Sequence, residues 1–131
     1  MKLEALIHQF SMRRADLEFF SPDQKGRHTA LADNTHLIHF EPDQSKVGFF
    51  LYAGIIKVPQ DQEPRIFKLA LEGNLFHKET GGASIAYHEE SQWLILQKFF
   101  EETNFVYSLF EENFDSFLTH LKHWKKKTGE E

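Results

Sequence analysis

Val47 to Val58 constrains the fold of this chain more than any other segment, because alternate positions are apolar on both sides. Val47, Phe49, Leu51, Ala53 and Ile55 fall on one side of an extended chain, and Phe50, Tyr52, Ile56 and Val58 on the other. A strand with two greasy sides belongs in the middle of a sheet, with neighbours on both flanks. The remaining segments have to supply those neighbours and the layer that covers them.

Helical spacing supplies the layer. Leu3, Leu6, Ile7 and Phe10 recur at intervals of three and four and predict an amphipathic helix ending near Arg13 or Arg14. Pro64 suits a first helical turn, and from Arg65 to Phe76 the polar residues are only Arg65, Lys68, Glu72 and Asn74. Ile66, Leu69 and Ala70 form one face of this helix, and Phe67, Leu71 and Leu75 a second, so it has apolar contacts to offer on two sides. A closing helix from about Phe105 to Lys126 carries Phe110, Phe114, Phe117, Leu121 and Trp124 at spacings of four, three, four and three. Ser108 and Glu111 have the spacing of a capping box that would start it near Leu109.

Between the helices the pattern is extended. Leu17 and Phe19 begin a strand stopped by Ser21-Pro22-Asp23-Gln24-Lys25-Gly26. A second strand runs through Thr29 and Leu31, with Asp33-Asn34 as an irregularity, to Ile38 and Phe40, which alternate with Leu37 and His39 before Glu41-Pro42-Asp43 turns the chain. Ala83 to Tyr87 and Trp93 to Phe99 are two further strands around Glu89-Glu90-Ser91. The expected order is α-β-β-β-α-β-β-α, an α+β fold with a twisted, mostly antiparallel sheet and three helices mainly on one face. With 131 residues and no repeat or long linker, the expectation is a single domain over 1-131.

Composition excludes several function classes. A net charge of -5, from 15 Lys plus Arg against 20 Asp plus Glu, repels phosphate backbones and argues against a nucleic-acid partner. The basic cluster of Lys122 and Lys125 to Lys127 reads as a solvated helix end that complements the macrodipole. Without cysteine there is neither a disulfide framework nor a thiolate metal site. Met1 to Phe10 is broken by Glu4, His8 and Gln9, unlike a signal peptide, and the longest apolar run is far shorter than the ~20 residues of a membrane helix, so a cytosolic protein without membrane insertion is expected.

Catalytic and metal signatures are lacking. His36 and His39 sit at an odd separation on a strand and point to opposite faces; His120 and His123 share a helix but have no carboxylate at a matching spacing. No Gly-x-Ser-x-Gly, His-Glu-x-x-His, phosphate-loop or dinucleotide motif occurs, and the adjacent acids of Glu89-Glu90 and Glu101-Glu102 diverge rather than converge on one bond. The reading is a non-enzyme with no catalytic residues, cofactor or metal. What remains is binding: 14 Phe are more than one small core readily hides, and an apolar patch left over is an interaction site.

A helix-turn-strand segment narrows the reading further. Thr80-Gly81-Gly82 makes a structural turn, since adjacent glycines accept positive φ at little steric cost. Asn74-Leu75-Phe76, three residues, then Thr80-Gly81-Gly82-Ala83 resembles the signature of the class I type III secretion chaperones, the Tir chaperone family. The likeness covers nearly the whole chain: Leu3, Leu6 and Phe10 in a first helix, Leu37 to Phe40 and Gly48 to Ile56 as strands, Pro59 before the second helix, and Phe117, Leu118 and Trp124 at the close. Two positions depart from the pattern. Ser84-Ile85-Ala86-Tyr87-His88 replaces a Leu-Gly-Leu-Asp-like run, and Gly73 stands where a helix-favouring residue is commoner.

The resemblance implies a bacterial cytoplasmic chaperone that holds the N-terminal segment of a secreted effector in extended form and keeps it soluble and competent for export, with release by a secretion ATPase. It implies a homodimer, or a heterodimer with a related chaperone serving a gatekeeper or structural substrate. The expected dimer interface is Phe67, Leu71 and Leu75, and the expected effector-binding residues are Leu3, Ile7, Phe10, Phe19, Ile38, Phe40 and Phe50. The reading from a different class is a small apolar-ligand-binding domain with an enclosed pocket.

Overall fold

The structure, a computed structural model, describes residues 2–44 and 47–129. Helix α1 (Leu3–Arg13) leads into strands β1 (Leu17–Phe20), β2 (His28–Ala32), β3 (His36–Asp43) and β4 (Gly48–Lys57). Helix α2 (Glu63–Asn74) is followed by β5 (Ser84–His88), β6 (Trp93–Glu101) and α3 (Tyr107–Thr128). The strands are ordered β1-β2-β3-β4-β6-β5, with antiparallel registers for β1 with β2, β2 with β3, β3 with β4, and β5 with β6. The expected α+β class, three helices and the central place of β4 are all present.

The expected order α-β-β-β-α-β-β-α is short by one strand. Asp33 and Asn34 both take left-handed backbone angles, φ 54° and 55°, and Thr35 N–H donates to the Ala32 carbonyl at 3.0 Å. That is a two-residue hairpin turn, for which Asp and Asn are well suited, so the irregularity separates β2 from β3. Glu41-Pro42-Asp43 does not turn the chain. Pro42 pairs with Phe49 in register, and because β2 ends its register at Phe40, Pro42 is flanked by β4 alone, the edge-like position that proline tolerates.

The chain divides into two compact units, Met1–Ala53 with Phe99–Phe105, and Gly54–Lys98 with Val106–Glu131. In the first, Leu6 and Phe10 of α1 and Ile38, Phe40, Phe49 and Leu51 of the sheet are buried, with Phe10 edge-on to Phe19 at 5.9 Å and Phe49 stacked on Phe100 at 5.3 Å. Each fully buried Phe, Leu or Ile here contributes roughly 1.5–3 kcal/mol.

In the second unit Phe110, Phe114, Phe117, Leu121 and Trp124 line the buried face of α3, and Ile66, Leu94 and Leu96 are buried as well. The capping box expected at Ser108 and Glu111 does not form: α3 is preceded by Val106 in extended backbone, and Ser108 lies inside the helix. Gly73, an oddity in the sequence, has a clear cause. A Cβ built there would overlap Cζ2 and Cη2 of Trp124, so the indole occupies the space that any other residue would claim.

Candidate functional site

The second face of α2 is uncovered. Leu71 and Leu75 are 73% and 60% exposed, and Phe67 is half-buried against the ring of Tyr87 at 4.8 Å. Pro64, Lys68 and Glu72 are exposed on the same stripe, one turn apart from one another. Helical periodicity thus separates Ile66 and Ala70, which are buried, from Leu71 and Leu75, which face solvent.

The end of this helix carries a feature that the sequence pattern did not reveal. Asn74 spans to β5 through two side-chain bonds: its Nδ2 donates to the Ile85 carbonyl at 2.9 Å, and its Oδ1 accepts from the Ile85 N–H at 2.8 Å. The chain then turns through Leu75–Lys78, with Lys78 N–H on the Leu75 carbonyl at 3.4 Å, and Phe76 and His77 both adopt positive φ, 57° and 55°. For a bulky residue this region costs about 1–3 kcal/mol, and Phe76 is nevertheless 80% exposed. The Thr80-Gly81-Gly82 turn follows: Gly81 and Gly82 have φ 62° and 87°, and Thr80 Oγ1 donates to the Ala83 carbonyl at 2.6 Å.

In the first unit the seven residues expected to bind a client divide into two groups. Leu3, Ile7, Phe10, Ile38 and Phe40 are buried, packed between α1 and the sheet; Phe19 and Phe50 are half-buried. Phe19 packs on Phe10 and Phe40, whereas Phe50 lies on the opposite sheet face with its ring 4.9 Å from Phe99. That opposite face also holds Phe20 and Leu37, 41% and 49% exposed, and half-buried Leu31, which pairs with Leu37. The signal for Leu37 is in the sequence, since the period of two sends it away from Ile38 and Phe40.

Polar groups border this face. Arg27 donates to the Tyr52 hydroxyl at 2.9 Å and approaches Asp23 at 3.3 Å, and Tyr52 packs on His39 at 5.0 Å. The Asp23 carboxylate accepts the N–H groups of Arg27 and Lys25, which holds it below the usual carboxylate range. His39 Nδ1 bonds to Thr29 Oγ1 at 2.9 Å. Burial pushes the His28 and His39 imidazoles down from 6.5; Arg27 adds to the effect at His39, while Glu4 and Asp23 oppose it at His28.

These shifts predict a pH dependence. Burial favours the neutral form of both groups more in the folded chain than in the unfolded one, which takes up protons near pH 6.5. Stability is therefore undiminished above that value, falls as pH drops below it, and levels off once the folded-state imidazoles also titrate. Denaturation midpoints at about pH 7.5 and pH 5.5 measure this, and His39→Gln should flatten part of the slope; equal midpoints for the parent protein would sink the assignment. Among the described residues no three His, Asp or Glu come together as a metal site.

The family model of the Tir chaperone protein (CesT) family matches residues 5–125. The chain belongs to this family. Comparison with curated protein sequences gave no match. Among solved structures, this CesT-family chain is similar to a chain of the ExsC-ExsE complex, with 18% identity, 96% of each chain covered and a TM-score of 0.73. It is also similar to a chain of the HopA1-SchA chaperone-effector complex, at 15% identity, 94% and 92% coverage and a TM-score of 0.71. A third likeness, to the structure of the Yersinia pestis type III secretion chaperone SycH with a stable fragment of YscM2, has 17% identity, 92% and 97% coverage and a TM-score of 0.61. At these identities the likeness is one of fold. Within the CesT family match lie both surfaces described above, α2 with its turn and the open sheet face around Leu37 and Phe50.

Proposed function

We propose that this CesT-family chain is a non-catalytic type III secretion chaperone of the bacterial cytoplasm, built as one chaperone domain over 1-131. It holds the N-terminal segment of a secreted effector in extended, non-globular form, soluble and competent for export, and a secretion ATPase releases it. The observation that carries this reading is apolar area left uncovered in a chain of this family, Leu37 and Phe20 in one unit and Leu71 and Leu75 in the other.

Two copies associate through Phe67 and Leu71 of α2 and Leu75 directly after it, burying in the dimer the face that one chain leaves wet. Client side chains settle at Phe19, beside the buried layer of Leu3, Ile7, Phe10, Ile38 and Phe40, and on the opposite, open face at Phe50, Phe20 and Leu37. Ordering a disordered segment costs entropy, which a long contact offsets. No helix among the described residues is long and apolar enough to cross a membrane. A cleft in the first unit is lined by Asp23, Gln24, Lys25, Arg27 and Glu41, whose charge suits a polar rim rather than a small apolar ligand.

Titrating the purified chain with N-terminal fragments of effectors encoded beside it tests this function. The expected result is a stable complex in which the fragment gains no globular fold of its own. Failure to bind any of them, with the chain folded, overturns the proposal. A lone chain that is monomeric and poorly soluble, and is rescued by co-expression with a related chaperone, replaces the homodimer with the heterodimer.

A further inference from the structure

The open sheet face of the first unit sets acids beside exposed apolar side chains, and its strands supply no base. In the registers of β1 with β2 and of β2 with β3, Glu18 stands opposite Leu31 and Leu31 opposite Leu37, all on that face. Phe20, opposite Thr29, lies on the diagonal from Leu31, within reach of a large side chain. By the same alternation Glu41 and Asp43 of β3 share this side with Leu37 and His39. Strands β1, β2 and β3 and residues 48–53 of β4 contain no lysine or arginine.

The bases nearest to this face are in the loop before β2. Arg27 has its charge matched there, with Nε 3.3 Å from the Asp23 carboxylate and Nη1 donating to the Tyr52 hydroxyl. Glu18, Asp23, Glu41 and Asp43 thus stand against Lys25 and Arg27, an acid excess of two. Glu18 is exposed, and among the described residues no group hydrogen-bonds to it or pairs with it.

We infer that this face selects a cationic apolar stretch of its polypeptide client, with an apolar residue seated on Phe20, Leu31 and Leu37 and a Lys or Arg two positions away paired with Glu18. This rests on the proposed chaperone function and adds to it the chemistry of the segment bound here. An apolar seat alone accepts almost any greasy residue; the acid beside it discriminates. The spacing fits an extended chain, whose alternate side chains lie on one side roughly 6.7 Å apart, whereas Glu18 is one strand spacing, about 4.8 Å, from Leu31 and two from Leu37. A long basic side chain covers that difference. The net charge of -5 acts in the same direction, drawing a basic segment towards the chain and repelling an acidic one.

Calorimetric titration of the full chain with N-terminal fragments of effectors encoded beside it, at about 0.05 and 0.3 M salt, tests the inference. For a fragment that the parent binds, Glu18→Gln is expected to weaken binding about threefold and Glu18→Lys about tenfold at low salt, with the differences shrinking at high salt. Neither substitution should move the urea midpoint, since Glu18 is exposed. Glu112→Gln, which removes the same charge from an exposed position on α3, is expected to change binding by less than about 1.5-fold. Changing the fragment's Lys or Arg to Gln should cost the parent the same factor and cost Glu18→Gln nothing further. Equal losses for Glu18→Gln and Glu112→Gln would reduce the effect to net charge and overturn the inference. So would a Glu18→Gln protein that keeps its affinity but self-associates, which would make Glu18 a guard of the β1 edge. Leu37-dependent binding of a fragment with no Lys or Arg at that spacing overturns it as well. A folded parent that binds none of the fragments overturns the chaperone function itself.

Discussion

Trp124→Ala is expected to lower the stability of the folded chain by about 3–5 kcal/mol, the range for deleting a buried aromatic side chain whose space does not collapse. Trp124 is fully buried, its ring fills the space left by the missing Cβ of Gly73, and its indole N–H donates to the Glu79 carbonyl at 2.8 Å. Removing it opens a cavity between α2 and α3 and leaves the Glu79 carbonyl without this donor. Lys127, whose ammonium lies 5.0 Å from the Trp124 ring and 2.7 Å from the Glu79 carboxylate, loses its ring partner as well. Urea denaturation measures the change; a loss below about 1 kcal/mol would mean that the α2–α3 packing does not depend on this ring. Lys127→Ala is the control, expected to change little because its ion pair is at the surface.

Phe40→Ala is expected to cost a similar ~3–5 kcal/mol, and it separates structure from binding in the first unit. Phe40 has no accessible surface and lies between Phe19 and Phe49, at 6.4 and 6.1 Å. Leu37, three residues earlier and on the open face, is 49% exposed, and Leu37→Ala should alter stability by less than about 1 kcal/mol. The two variants are expected to diverge in client binding. Leu37→Ala, fully folded, should bind an effector segment more weakly, whereas Phe40→Ala loses binding only in proportion to the fraction unfolded. If Leu37→Ala bound the segment as tightly as the parent, the open sheet face would drop out of the client surface.

The elements themselves were legible because their signals are local. Spacings of three and four marked α1 and the buried side of α3, alternation marked β4, and the paired glycines after Thr80 marked a turn. Local signals also have local failures. Asp33-Asn34 was a stronger hairpin signal than its setting between two short apolar runs suggested, and Ser108 with Glu111 had the spacing of a cap while Val106 took that position. Asn74 could not have been read as a backbone clamp, because its partner, Ile85, lies across the turn and its use depends on where β5 comes to rest.

The amino-acid sequence by itself determined which residues share a face and where the chain must reverse, since pleat and helix period are properties of the backbone. It also determined, through the ordered motif from Asn74 to Ala83, the family to which the chain belongs. Only tertiary structure decided which of two apolar faces is covered: Phe10, Ile38 and Phe40 go inside while Leu37 and Phe20 stay out, and Ile66 is buried while Leu71 and Phe76 meet water. Periodicity is symmetric between the two sides of a strand or helix, and the symmetry is broken by what packs against it from distant parts of the chain.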